Sequence, residues 1–287
     1  MNFNNQYRPG GFGGLPVVTK NIIIINVIMY LLTMVLIKTQ GIDLTEYLGL
    51  HYYQAPQFKP HQFITYIFMH STSDFSHILF NMLAVYIFGQ VLEQTWGPKR
   101  YLIFYILTGL GAALAQYVVI YFSVAPFIDS IELVQNNLNG ESINNFLNTS
   151  EFQNSLSHGN FGIYDTFVQQ YNKAVQENSP RALSLASQFL LDYKNQSLNE
   201  HVIVGASGSL FGLLGAFGML FPNQMLYLYF FIPVKAKWLV IAYGAFELFS
   251  GLRSNPGDNV AHFAHIGGLI VGIIIVLIWR KDKQHFY

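Results

Sequence analysis

Apolar and polar positions fall into long blocks along this 287-residue chain. A helix that crosses a bilayer needs about 20 mostly apolar residues, with a range of about 17–25. Five blocks approach or meet that length: Asn21–Ile37, His77–Leu92, Tyr101–Val124, Val202–Phe221 and Val260–Trp279. A sixth, Trp238–Ser250, becomes long enough if it takes in residues from Pro233–Lys237. The run Met225–Val234 contains Pro233 and is too short to cross, so it reads as an interfacial loop. The pattern predicts an all-α, polytopic membrane protein with helices one to three in 21–124 and four to six in 202–280. A Gly- and Asn-rich flexible tail occupies 1–20, and a short tail follows at 281–287.

Residues 125–201 break the pattern. They are rich in Asn, Ser and Gln and read as a polar, partly helical insertion outside the membrane. Ile163, Phe167, Tyr171 and Val175 recur at near-helical spacing. Ser179-Pro180 then reads as an N-cap followed by proline at the first helical position. Leu183, Leu185, Phe189, Leu190 and Tyr193 would form the apolar face of a second helix, giving a small hairpin.

Lys and Arg placement orients the chain. With the N-terminus inside, nine fall on that side (Arg8, Lys20, Lys99, Arg100, Lys235, Lys237, Arg280, Lys281 and Lys283) and three in the short outer loops (Lys38, Lys59 and Arg253). Both termini are therefore expected to be cytoplasmic. Lys38-Thr39-Gln40 after the first block is no small-residue cleavage site, so no signal peptide is expected. The short polar N-terminal tail and the absence of a targeting peptide favour a bacterial inner membrane.

Composition narrows the chemistry. Only 10% of residues are charged, against about 25% in an ordinary soluble domain. Lys+Arg and Asp+Glu are both 15, which leaves no basic excess for nucleic acid. Cysteine is absent, excluding a thiol nucleophile, disulfides, Cys-ligated zinc and iron–sulfur chemistry.

Polar groups in hydrocarbon are costly and need a reason. Five stand out: His77, Asn81, Ser207, Glu247 and His265. Ser207 sits in Gly205-Ala206-Ser207-Gly208, and His265 in Ala264-His265-Ile266-Gly267-Gly268. Helices two, four and six all enter from outside. Ser207 and His265 are each about five residues into their blocks, or about 8 Å below the outer helix ends. His77 and Asn81 share a helix face on the same side. A hydroxyl, an imidazole and a donor pair thus converge at similar depth. Serine is a weak nucleophile unless a base takes its proton, and His265 can be that base. His77, Asn81 and the backbone N–H groups of Gly205, Ala206 and Ser207 can hold an acyl-transfer oxyanion.

Gly208, Gly212, Gly215 and Gly218, with Gly268 and Gly272, would let helices four and six approach closely. Phe211, one turn beyond Ser207, could pack on the His265 ring. Ser209 points about 200° around the helix from Ser207 and is a poor rival nucleophile. No carboxylate obviously orients His265: Asp258 is seven residues earlier, in an expected loop. Glu247 reads as bonding backbone or loop groups near its outer helix end, or as a proton relay or gate. A Ser–His dyad is the economical reading. Metal held by His262, His265, His70 and His77 is disfavoured, because no His-Glu-x-x-His occurs and no carboxylate sits on these faces. His70 reads as an interfacial loop residue.

These residues resemble the rhomboid family of intramembrane serine proteases. Gly205-Ala206-Ser207-Gly208 is similar to the family's nucleophile motif on its fourth helix. Ala264-His265 with Gly267-Gly268 is similar to its base motif on the sixth, and His77-Ile-Leu-Phe-Asn81 to its oxyanion motif on the second. Glu93 to Tyr101, with Gly97 and Arg100, resembles the turn between helices two and three. The resemblance covers Asn21–Val124 and Val202–Trp279. It implies a six-helix bundle with a water-accessible cavity, in which Ser207 is nucleophile and His265 general base. It also implies a lateral gate around helix five, and a loop from about Thr39 to Thr65 lying partly in the outer leaflet. The partners would be transmembrane protein substrates and the lipid bilayer, with no metal or organic cofactor. The insertion at 125–201 is a departure from the compact members. The alternative is a catalytically inactive relative that binds clients for turnover. A transporter would want internal repeats and several paired charges, which the chain lacks.

Overall fold

The structure is a computed structural model that describes residues 14–156, 161–228, 231–253 and 261–284. Asp258 and most of the expected N-terminal tail lie outside the described residues. The chain is mostly helical and divides into two compact units. One comprises Met1–Leu50, Lys59–Tyr117 and Val202–Tyr287; the other comprises His51–Phe58 and Val118–His201.

Helix α1 spans Val17–Gln40 and ends at Gly41, whose φ of 68° is a left-handed cap that suits glycine. Helix α2 spans Phe75–Trp96, with a π-helical turn at Val85–Gly89. Asp74 caps it by accepting from the Ser76 N–H at 2.8 Å. The Ser76 hydroxyl and N–H hold the Asp74 carboxyl below the usual carboxylate range. Helix α3, Pro98–Asn136, is longer than the block Tyr101–Val124 that predicted it. It runs on through Pro126, so 125–201 does not begin with a break in the helix.

In the second unit, helices α4 (Gly140–Leu147), α5 (Ser150–Leu156), α6 (Phe161–Gln176) and α7 (Arg181–Asn199) follow. The expected hairpin is α6 and α7, with Pro180 just before the first helical residue. Ile131, Ile143, Phe146, Phe152, Phe189 and Tyr193 are among the buried residues that give this unit its own core. Val175 and Leu183, expected on the buried face, are exposed; Ala174 and Ala186 are buried instead.

Helix α8 spans Ser207–Leu220 and is shorter than the block Val202–Phe221. Residues Val202–Ile203 are extended, and Gly205 takes φ 124°, a conformation that side-chain-bearing residues rarely adopt. Met225–Val234 is not a loop: strands β1 (Met225–Leu228) and β2 (Ile232–Lys235) pair antiparallel, Met225 opposite Lys235. Helices α9 (Ala236–Arg253) and α10 (His262–Gln284) complete the chain.

Among the described residues, four helices are long and apolar enough to cross a membrane: α1, α2, α3 and the stretch His262–Arg280 of α10. Large apolar side chains such as Ile28, Phe80 and Ile274 lie exposed on them, as expected for surfaces facing lipid. At about 1.5 Å per residue, the 14-residue α8 is only about 21 Å long, against a hydrocarbon core of about 30 Å.

Small residues let α3, α8 and α10 touch at the backbone. A Cβ on Gly268 would run into the Gly208 carbonyl group, and one on Gly272 would sit 2.8 Å from the Gly212 Cα. A Cβ on Gly212 would meet Thr108 of α3. Ser209 is buried, and its hydroxyl donates to the Tyr105 carbonyl at 2.8 Å, a helix-to-helix tie.

Glu93, near the end of α2, caps the start of α1. Its side-chain oxygens accept from the Val18 N–H at 2.9 Å, the Thr19 N–H at 2.7 Å and the Thr19 hydroxyl at 2.8 Å. These are helix N-terminal donors with no partner inside the helix. Leaving such buried donors unpaired costs about 3 kcal/mol. Glu93→Ala is therefore expected to lower the Tm in detergent by about 6–12 °C, measured by thermal unfolding; an unchanged Tm would remove Glu93 from this role.

Candidate active site

The site is built where α8 begins beside α10. Ser207 is the first residue of α8, not the fifth, because Gly205 turns the chain immediately before it. The N–H groups of Ser207, Gly208 and Ser209 precede the first rung of the helix ladder, which is Leu210 N–H to the Ala206 carbonyl. Such groups carry the positive end of the helix dipole. The Gly205 N–H, expected to be free for an oxyanion, is instead taken by the Tyr66 carbonyl at 3.0 Å. That bond anchors the turn and leaves the N–H groups of Ala206 and Ser207 for the expected role.

His265 is the fourth residue of α10, and its Nε2 lies 2.8 Å from the Ser207 Oγ. Contact at this range follows from the glycines: Gly208 is the residue after Ser207, and Gly268 is one turn after His265. The Phe211 ring stacks on the His265 imidazole, centroids 4.4 Å apart and planes 6° from parallel. Tyr243 of α9 also packs on Phe211, ring centroids 4.9 Å apart. The imidazole is thus held by packing as well as by hydrogen bonds.

His77 is half-buried in the first turn of α2. A Cβ placed on Gly205 would stand 3.5 Å from the His77 Nε2 and 3.6 Å from the Ser207 Oγ, so both polar atoms face one small space. Gly205 keeps that space open. Asn81, a turn further along α2, is buried and directed at His70: Asn81 Nδ2 lies 3.1 Å from His70 Nε2. The His70 and His77 rings meet edge-on, centroids 5.2 Å apart.

His70 is therefore not an interfacial loop residue. It is fully buried, and burial together with the His77 imidazole pushes its pKa down to about 3. It is neutral at any working pH, with its Nε2 able to accept the Asn81 amide N–H. One N–H of that amide is fixed, which leaves the other to point elsewhere. The sequence signal for this was present in a histidine eleven residues before an intramembrane asparagine, but spacing across a loop does not fix which groups meet.

The larger omission in the sequence reading is the pair of partners of Glu247: a carboxylate does face His262 and His265. Glu247 is 3% exposed on α9, and its Oε2 lies 2.9 Å from His265 Nδ1 and 2.6 Å from His262 Nδ1. Of the two readings given for it, bonding to backbone or loop groups is not what these contacts show: both go to imidazoles. The three ligand-capable atoms lie within 4.8 Å of one another. Ligand atoms of a tetrahedral zinc, each about 2.1 Å from the metal, stand about 3.4 Å apart. The two short separations here are those of hydrogen bonds.

Chemically, the arrangement offers a hydroxyl bonded to an imidazole, a carboxyl on the far side of that imidazole, and donors near the hydroxyl. Comparison with known proteins gives the same direction. No curated protein matches the chain, whereas the family model for the rhomboid domain matches residues 57–125 and 181–282. Those segments carry every residue of the site, from His70 through His265, on an integral, multi-pass helical scaffold. The chain belongs to the rhomboid family.

Proposed function

We propose that the protein is an intramembrane serine endopeptidase, hydrolysing peptide bonds in or near the transmembrane segments of membrane-protein substrates. The 2.8 Å contact between Ser207 Oγ and His265 Nε2 carries this reading. As Oγ attacks the scissile carbonyl carbon, its proton passes to Nε2. The carbonyl oxygen becomes an oxyanion near the Ala206 and Ser207 N–H groups, His77 and Asn81. The C–N bond then breaks, and His265 returns the proton to the leaving amine. Water, activated by the same imidazole, releases the acyl group from Ser207.

Substrates reach the site from the bilayer, and no nucleic acid, metal or organic cofactor takes part. A helical amide is shielded by its own hydrogen bonds, so cut sites carry small or helix-breaking residues that permit local unwinding. The apolar blocks support six spans in a bacterial inner membrane, with 125–201 as an extracytoplasmic insertion, and the Lys and Arg distribution supports cytoplasmic termini.

The test is cleavage of a single-span test protein in liposomes by the wild type, Ser207→Ala and His265→Ala. Cutting by the wild type alone supports the reading. Cutting retained by Ser207→Ala removes the nucleophile. No cutting by the wild type, joined to no labelling of Ser207 by a fluorophosphonate, replaces it with a client-binding relative. Asn81→Ala is expected to lower kcat by about 10²–10³-fold with KM within about twofold. His70→Phe, which removes the acceptor that fixes the Asn81 amide, is expected to cost about tenfold by the same route. Steady-state kinetics on the two variants reads both; a fall confined to KM would place Asn81 in substrate binding instead.

A further inference from the structure

We propose that Glu247 completes a Ser207–His265–Glu247 relay, as the positioning residue of the general base. The inference rests on the assignment of Ser207 and His265 above. A neutral imidazole carries one N–H. If His265 Nε2 is to accept the Ser207 proton, that N–H must be on Nδ1. Glu247 Oε2, 2.9 Å from Nδ1, is the acceptor that keeps it there. When Oγ gives up its proton, Nε2 gains it and the Nδ1 proton stays on His265. The imidazolium so formed then lies directly against the carboxylate, at a buried site where such a contact is worth far more than in water.

The surroundings of Glu247 fit this role. An acid on an apolar helix is costly unless its charge is compensated. His262, three residues before His265 on α10, donates from its own Nδ1 to the same Oε2 at 2.6 Å. One oxygen thus receives two N–H groups from consecutive turns of one helix, which fixes the carboxyl group between α9 and α10. The His262 and His265 rings meet edge-on at 87°, so neither displaces the other. Phe211 covers a face of His265, leaving its two nitrogens to set the ring's direction. Ser207 lies at one nitrogen and Glu247 at the other.

The test uses the full-length protein in detergent or liposomes, with two readouts: the rate at which a fluorophosphonate labels Ser207, which needs no substrate, and kcat and KM for a single-span test protein. Thermal unfolding checks each variant. Glu247→Gln is expected to slow labelling and lower kcat by about 10²-fold or more, with KM within about twofold. Glu247→Asp restores the charge and is expected to recover at least about tenfold over the Gln variant. A folded Gln variant within about threefold of wild type overturns the relay, and so does an Asp variant no faster than the Gln variant. Wild-type rates that respond to a chelator, in a manner lost in Glu247→Gln, would make the cluster a metal site and overturn it too. Failure of wild-type Ser207 to label at all sinks the protease reading itself, which keeps the two failures distinct.

Discussion

Ser207→Ala and His265→Ala are each expected to lower kcat by at least about 10⁴-fold, and the double variant to lose no more than the worse single. The non-additivity is the informative part. If Ser207 and His265 act as one unit through their 2.8 Å contact, removing either leaves the other with nothing to do. Two residues contributing separately, one to binding and one to packing, would show losses that multiply. The Phe211 stack gives a reason to check folding, because His265→Ala leaves a void against that ring. A Tm measurement separates the two causes: a catalytic loss with a small Tm change belongs to the reaction. Labelling by a fluorophosphonate should vanish in Ser207→Ala and slow strongly in His265→Ala. Equal labelling of wild type and His265→Ala would mean that the imidazole does not activate the hydroxyl.

The nucleophile and base were legible because hydrocarbon tolerates few polar groups. A serine among glycines and a histidine in an apolar run are conspicuous once depth and side are reckoned from helix parity. The reckoning of depth erred for Ser207 in an instructive way. Hydropathy follows lipid exposure and burial, and Val202–Ala206 is apolar without being helical. Only the φ of Gly205 moves the helix start to Ser207. The converse occurs at α3, where composition turns polar near 125 but backbone hydrogen bonding continues to Asn136. Glu247 was conspicuous as the clear intramembrane acid, yet its partner was not. Its direction depends on how α9 is rotated against α10, and a weakly patterned apolar helix does not encode that rotation in its sequence. The pairing of β1 with β2 was missed because Pro233 reads as a breaker, although proline is tolerated in an edge strand.

Gly268→Ala tests whether the backbone contact between α8 and α10 is what brings base and nucleophile together. The added methyl group would meet the Gly208 carbonyl oxygen, with the carbonyl carbon 2.8 Å away. Backbone cannot move aside as a flexible side chain can, so the helices must separate or rotate. Overpacking of this kind costs about 1–3 kcal/mol or more. The catalytic loss is expected to exceed what that destabilisation alone produces. Gly208 follows Ser207 directly and Gly268 is three residues beyond His265, so a displacement at this contact is carried straight to Oγ and Nε2. A misplacement of about 1 Å costs about 10²-fold in rate, and kcat/KM is expected to fall by at least that much at temperatures where the variant remains folded. Gly272→Ala should act differently. Its methyl group would meet Gly212, one turn deeper, so stability should fall with a smaller loss of kcat. Gly244→Ala is the control, because its methyl group would meet only the end of the Leu269 side chain, at 3.0 Å. It should stay within about twofold of wild type, since a flexible side chain can shift. A Gly268→Ala variant with wild-type rate and Tm would show that the two helices have room to spare, and that the short distance from Ser207 to His265 is set elsewhere.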